Sequence, residues 1–227
     1  MKHFLLCLLL LAGCKREPAP EFVDLTFQIP FALTPERDTV AVGDTLWLTA
    51  DFSDQLRDFY TGQRYPVPPA NFRLRTLLGL FRLTLPTRTL ANQPAATEDF
   101  TFVNKVGAVA RQAPTFNEVS YVHAQGRYHL RVGLIPQRRG VFSVNFLDGW
   151  LTRRREEKEP DLSYLDLGKT ADGLRRQAVF RSFFHYINEG RTNFELYKQH
   201  CAPVSLNYPN PGNINGEQEG TLTFVVR

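Results

Sequence analysis

The sequence predicts an all-β chain, an antiparallel β-sandwich with one late helix at about 175–189, and three observations predict it. Apolar and polar residues alternate in one run after another. The strand–helix–strand repetition that a parallel α/β design needs does not occur. Between the runs stand stretches rich in Pro, Gly and Asn, the composition of turns. With 43% apolar residues in a chain of 227, a large core is affordable without cross-links, which matters because only three cysteines are present.

Leu25, Phe27 and Ile29 alternate with Thr26 and Gln28, so residues 22–29 read as a strand that Pro30 and Thr34-Pro35 interrupt. Residues 39–52 read as a short strand, a Gly43-Asp44 turn and a longer strand whose Leu46, Leu48, Ala50 and Phe52 share a face. Within it, Val40-Ala41-Val42-Gly43-Asp44-Thr45-Leu46 resembles an opening common in immunoglobulin-like sandwich modules of secreted bacterial proteins. That resemblance implies an immunoglobulin-like version of the sandwich. Asp51, Asp54 and Asp58 invite a calcium reading, but the spacing lacks the glycine and closing glutamate of an EF-hand loop, so a solvated strand end is favoured and no metal site is assigned. Residues 61–71, with Gly62 and three prolines, read as loop.

Residues 72–85 form a long strand-like run whose parity changes. Phe72, Leu74, Leu78 and Leu80 fall on even positions, Phe81, Leu83 and Leu85 on odd ones, and a bulge at Gly79 is the economical explanation. After a connection over 86–99 come a strand at 100–103, another near 119–122, and the clearest pattern of all. Tyr128, Leu130, Val132 and Leu134 alternate before Pro136-Gln-Arg-Arg-Gly140, and Phe142, Val144 and Phe146 alternate after it. A hairpin over 126–147 is expected.

The opposite face of that hairpin carries Arg127, His129 and Arg131, and Arg73 and Arg75 fall similarly on the earlier run. Such a face is a candidate for carboxylated or phosphorylated glycans, which guanidinium groups grip through forked hydrogen bonds. The plainer reading is a solvated sheet face on which arginine stems cover apolar surface.

Residues 148–173 lose periodicity, and 153–159 form a mixed charge run of solvated character. Val179, Phe180, Phe183, Phe184 and Ile187 then fall on one side of a 3.6-residue period, with His185 on the polar side and Gly190 as C-cap. A strand at 193–197, a turn-rich loop to Gly220 and a closing strand at 221–226 complete the chain. Strands throughout the length favour one sandwich domain over 22–227 with loop insertions, ahead of a split near residue 150.

The N-terminus is the most specific stretch. A cationic Met1-Lys2-His3, an apolar run from Phe4 to Leu11 and small residues before Cys14 make a secretory signal over 1–13. The run is too short for a membrane span, which needs roughly 20 apolar residues. Leu11-Ala12-Gly13-Cys14 resembles the lipobox of bacterial lipoproteins, which implies cleavage before Cys14 and lipid attachment to it; a plain signal peptide is the rival. Lys15, where an inner-membrane retention signal carries Asp, implies an outer-membrane destination, with periplasmic and surface exposure both open. Residues 14–21, with the Pro-rich Lys15–Pro20, read as a tether. As a whole the chain resembles β-rich envelope lipoproteins of Bacteroidota-like bacteria.

Cys7 leaves with the signal and Cys14 carries lipid, so Cys201 stands alone and no internal disulfide forms. The net charge of +4 and the compartment argue against a nucleic-acid partner. Partners implied are the membrane through the lipid, and an envelope glycan or envelope protein. Catalytic elbows, zinc-protease, phosphate-loop and dinucleotide motifs are missing, so no catalytic residue and no cofactor is assigned. His200-Cys201 points apart if extended, and Glu98-Asp99 or Glu217 with Glu219 does not define a carboxylate pair. The expected function is a noncatalytic binding or accessory module; the competing class is a lipid-anchored hydrolase of polysaccharide or peptide. An exposed aromatic patch using Trp47, Trp150 or tyrosines favours glycan binding.

Overall fold

A computed structural model describes residues 18–148, 160–203 and 217–227. The signal sequence, Cys14, Trp150, the 153–159 charge run and most of the 201–220 loop lie outside the described residues.

The strands are β1 (Glu21–Thr34), β2 (Thr39–Val40), β3 (Leu46–Ser53), β4 (Gln55–Arg57), β5 (Arg64–Pro66), β6 (Thr76–Arg82), β7 (Phe100–Val106), β8 (Ala108–Arg111), β9 (Phe116–Ser120), β10 (Val122–Ala124), β11 (Arg127–Pro136), β12 (Gly140–Asp148), β13 (Arg176–Ile187) and β14 (Thr221–Val226). Sheet one has the order β10-β11-β3-β1-β13, with β7 also on β11; sheet two has the order β2-β14-β12-β6-β9-β8. The architecture is β-sandwich-like, mostly antiparallel, but both sheets are mixed: β1 pairs with β13, and β14 with β2, in parallel. One hydrophobic cluster between the sheets draws on residues from Leu25 to Val226.

Several expectations are corrected, each for a physical reason. Pro30 does not end the first strand; β1 continues to Thr34, with Pro30 opposite Tyr186 in the β13 ladder. The two strands of 126–147 exist but do not pair with each other. β11 pairs with β3 and β7 in sheet one, β12 with β6 and β14 in sheet two, so the turn between them crosses from sheet to sheet. Alternation fixes which face is buried; it does not say whether the next strand lies beside or across. No bulge occurs at Gly79, since the β6–β12 register runs unbroken through Asn145 opposite Gly79. The parity change has another cause: β6 is buried on both faces. Leu78 and Leu80 face the main cluster, whereas Phe81 and Leu83 join a second one with Leu90, Tyr197 and Cys201. Gly79 is required by close approach, because a Cβ there would stand 2.2 Å from Asn145 Oδ1 and 2.7 Å from the Phe81 ring.

The late helix is displaced. Residues 176–187 form β13, and the longest helix among the described residues is Phe194–His200, on the stretch expected to be a strand, with a further helical turn at Glu217–Gly220. The β1–β13 register slips at Leu25/Thr26, where Leu25 faces Phe180 and Thr26 faces Ser182, leaving Arg181 as the extra residue. Ala178 is buried before the slip, with Phe180 packed against the core; Phe183, His185 and Ile187 are buried after it. That switch of parity sets Phe180, Phe183 and Ile187 at spacings of three and four, which imitates a helix. His185 is therefore buried at 5% exposure, where the helical reading had it on the polar side.

Candidate functional site

The five residues of the expected basic face are not brought together. Arg127, His129 and Arg131 project from the outer face of sheet one, opposite Ser53, Asp51 and Thr49 of β3. Arg73 and Arg75 precede β6 of sheet two, and Arg73 pairs with Glu118 of β9 at 3.0 Å. On sheet one the arginines lean diagonally along β3. Arg127 Nε donates to Asp51 Oδ1 at 2.7 Å and its Nη2 to the Asp51 carbonyl at 3.2 Å. The Arg131 guanidinium lies 4.8 Å above the Trp47 ring. Trp47 in turn lies against Gly133, where a Cβ would come within 3.4 Å of the indole. With its ring covered by Arg131 and β11, Trp47 is not a free stacking platform. His129 Nδ1 stands 3.7 Å from the Asp51 carboxylate.

A concave site lies beside this ladder. The β1–β3 pairing covers only Ala32–Thr34 against Thr49–Trp47. From Pro30, which brings no N–H to a ladder, the two strands part. The gap is a cleft of about 310 Å³, with Gln28 and Pro30 on one wall, Asp51 and Ser53 on the other, and Arg127 and Tyr186 at the sides. The β4–β5 hairpin closes one end. Its Leu56 is buried in the main cluster and Tyr65 packs on it, while Arg57 and Arg64 line the cleft.

The hairpin is held firmly. Asp58 is 1% exposed; its Oδ1 accepts the Thr26 N–H at 3.0 Å and its Oδ2 accepts the N–H and hydroxyl of Thr61, each at 2.8 Å. Phe59 N–H donates to the Thr26 carbonyl at 2.7 Å. Arg64 Nη1 donates to the Gln55 carbonyl at 3.2 Å. Burial raises the Tyr186 hydroxyl above the ordinary tyrosine range, while the nearby Arg57 and Arg64 charges pull it back down and Glu189 pushes it up. Next to Tyr186 an aromatic strip continues: Phe184 at 6.4 Å, Phe59 at 4.5 Å from Phe184, and Tyr60 at 5.2 Å from Phe59.

Sequence reading missed Arg57 because 51–58 read as a solvated, acid-bearing strand end, and Arg64 because the prolines marked 61–71 as loop. A signal was present: Gln55-Leu56-Arg57 and Arg64-Tyr65-Pro66 alternate on both sides of a glycine-bearing turn, the pattern of a short hairpin. The acids of 51–58 part company. Asp51 turns to Arg127, Asp54 to His123 at 3.1 Å, and Asp58 to Thr26 and Thr61.

Two buried polar groups serve the fold. His185 Nε2 lies 3.3 Å from Thr76 Oγ1, which accepts the Tyr121 hydroxyl at 2.9 Å, so a polar chain links β13 of sheet one to β6 of sheet two. Burial among Phe31, Phe146 and Phe183 lowers His185 from the ordinary 6.5 to about 3, and the ring is neutral at any ordinary pH. On the far side of sheet two, Tyr197 donates to the Glu217 carboxylate and the Cys201 thiol to the Arg88 carbonyl at 3.2 Å. Burial pushes the Cys201 thiol up, away from nucleophilic use.

No protein-family model matches the chain, and no curated protein matches it. Among solved structures, the CupB6 tip adhesin from Pseudomonas aeruginosa is similar at 12% identity and a TM-score of 0.20, over 76% of this chain and 44% of that one. The chain thus spans under half of that structure's length, and so slight a likeness adds nothing to the reading of the cleft.

Proposed function

We propose that the chain is a noncatalytic envelope lipoprotein, cleaved before Cys14, lipidated there and held at the outer membrane facing the periplasm or the cell surface. It presents the outer face of sheet one as a binding or accessory module for glycan or another envelope protein. The observation that carries the binding reading is the cleft where β1 and β3 part, a concavity bordered by an aromatic strip and basic side chains. Anchoring is supported by the tetrapeptide Leu11-Ala12-Gly13-Cys14 and the proline-bearing tether. Attachment through several acyl chains gives the stable hold that a single chain lacks. An immunoglobulin-like form of the sandwich belongs to this reading and rests on the short Val40–Leu46 stretch.

Mass spectrometry of the N-terminus from a lipoprotein-processing host, together with retention of solubilised envelope polysaccharide by the full chain, tests both halves. The expected result is a lipidated Cys14 and polysaccharide retention that Tyr186→Ala weakens. An unmodified Cys14 overturns the anchor, and retention unchanged in Tyr186→Ala overturns the use of the cleft.

A further inference from the structure

Arg57 and Arg64 are direct cross-strand partners in the β4–β5 hairpin. Residues so placed carry Cβ atoms about 5 Å apart, and like charges there are destabilising. A carboxylate nearby would offset such a pair. Here the carboxylate in the cleft, Asp51, is engaged by Arg127, and among the described residues neither Arg57 nor Arg64 has an ion-pair partner. Two uncompensated positive charges thus face one concavity, on a hairpin fixed by the buried Asp58 and by Leu56 in the core. Arg57 is further placed by Gly62, where a Cβ would come within 3.1 Å of its Nη2.

We infer that the paired guanidiniums of Arg57 and Arg64 form a clamp for an oxyanion, the carboxylate or phosphate group of a ligand seated in the cleft between β1 and β3. The inference rests on the binding reading of that cleft and names the chemistry it selects. Guanidinium forks match the paired oxygens of either group, and a bridging anion turns a repulsive pair into two charge-assisted contacts. The aromatic strip from Tyr186 to Tyr60 offers apolar faces for the rest of an acidic saccharide. No covalent step is involved.

Thermal unfolding of the full chain in detergent, with inorganic phosphate or hexagalacturonate against chloride at equal ionic strength, tests this. Either probe raising Tm beyond chloride, with Arg57→Ser and Arg64→Ser each weakening the apparent affinity about tenfold or more, is the expected result. Arg57→Ser is also expected to have a higher Tm than the parent in chloride alone, because it removes the repulsion without removing a hydrogen bond of the hairpin, whereas Arg64→Ser also gives up the bond to the Gln55 carbonyl. A response to one probe only assigns the oxyanion as phosphate or carboxylate. No anion-specific rise, or a rise both variants retain, overturns the clamp. If the chain still retains neutral envelope polysaccharide in that case, the clamp falls and the binding reading stands; if it retains none, the glycan form of the binding reading falls with the clamp.

Discussion

The outer faces of the two sheets are built from the same element and treated differently. On sheet two, β6 sends Phe81 outward at 3% exposure, and the helix Phe194–His200 covers it with Tyr197 fully buried. On sheet one, the outward Thr49, Asp51 and Ser53 of β3 and Arg127, His129 and Arg131 of β11 are polar or charged, Trp47 lies under Arg131, and the face opens into a cleft at Pro30. Closing one face with a helix adds a second small core. Leaving the other face open gives up that burial and keeps a concave, charged surface in contact with solvent. The contrast teaches that the covered face contributes stability and the open face is available for recognition.

The contrast is broken most severely on the covered side. Phe81→Ala removes the side chain at the centre of the second cluster and is expected to cost about 3–5 kcal/mol in urea unfolding; a loss under about 1 kcal/mol would mean that the helix does not depend on that face. A second effect sits between the sheets. His185 has its folded pKa lowered to about 3 against 6.5 in the unfolded chain, so its contribution is complete above pH 6.5. As pH falls below that value only the unfolded state takes up the proton, and stability is lost until about pH 3, with about 2 kcal/mol gone at pH 5. The difference in unfolding free energy between pH 7 and pH 5 should shrink by that amount in His185→Asn; an unchanged difference contradicts a neutral, buried ring. The smallest effect is expected on the open face, where Arg131→Ala gives up the contact over Trp47 and costs about 0.5–1 kcal/mol.

The same contrast explains what the sequence made legible. Strands with one buried face, such as Leu46–Phe52 and Tyr128–Leu134, stand out because their period is two and nothing disturbs it. Where a second layer covers the outer face, as at Phe81 and Leu83, the alternation fills in and resembles a bulge. In β13 a real bulge at Arg181 switches the buried parity and mimics a helix, while the true helix is too short for its period to outweigh the apparent alternation of Phe194 and Leu196. Pairing is harder still to read, because the Gln137–Gly140 turn has hairpin composition but carries the chain between sheets. For the site, Arg127, His129 and Arg131 were legible as one face; that Arg127 and Arg131 are occupied by Asp51 and Trp47 depends on β3, some 80 residues earlier by register. Arg57 and Arg64 gain meaning only once the cleft exists.

The most direct test of the claim that recognition belongs to the open face is hydrogen exchange of the full chain with and without solubilised envelope polysaccharide. The account predicts slowed exchange at residues 51–57, 64–66 and 184–186, with the helix Phe194–His200 unchanged. Slowing confined to that helix and the sheet two face, or slowing nowhere, would contradict it.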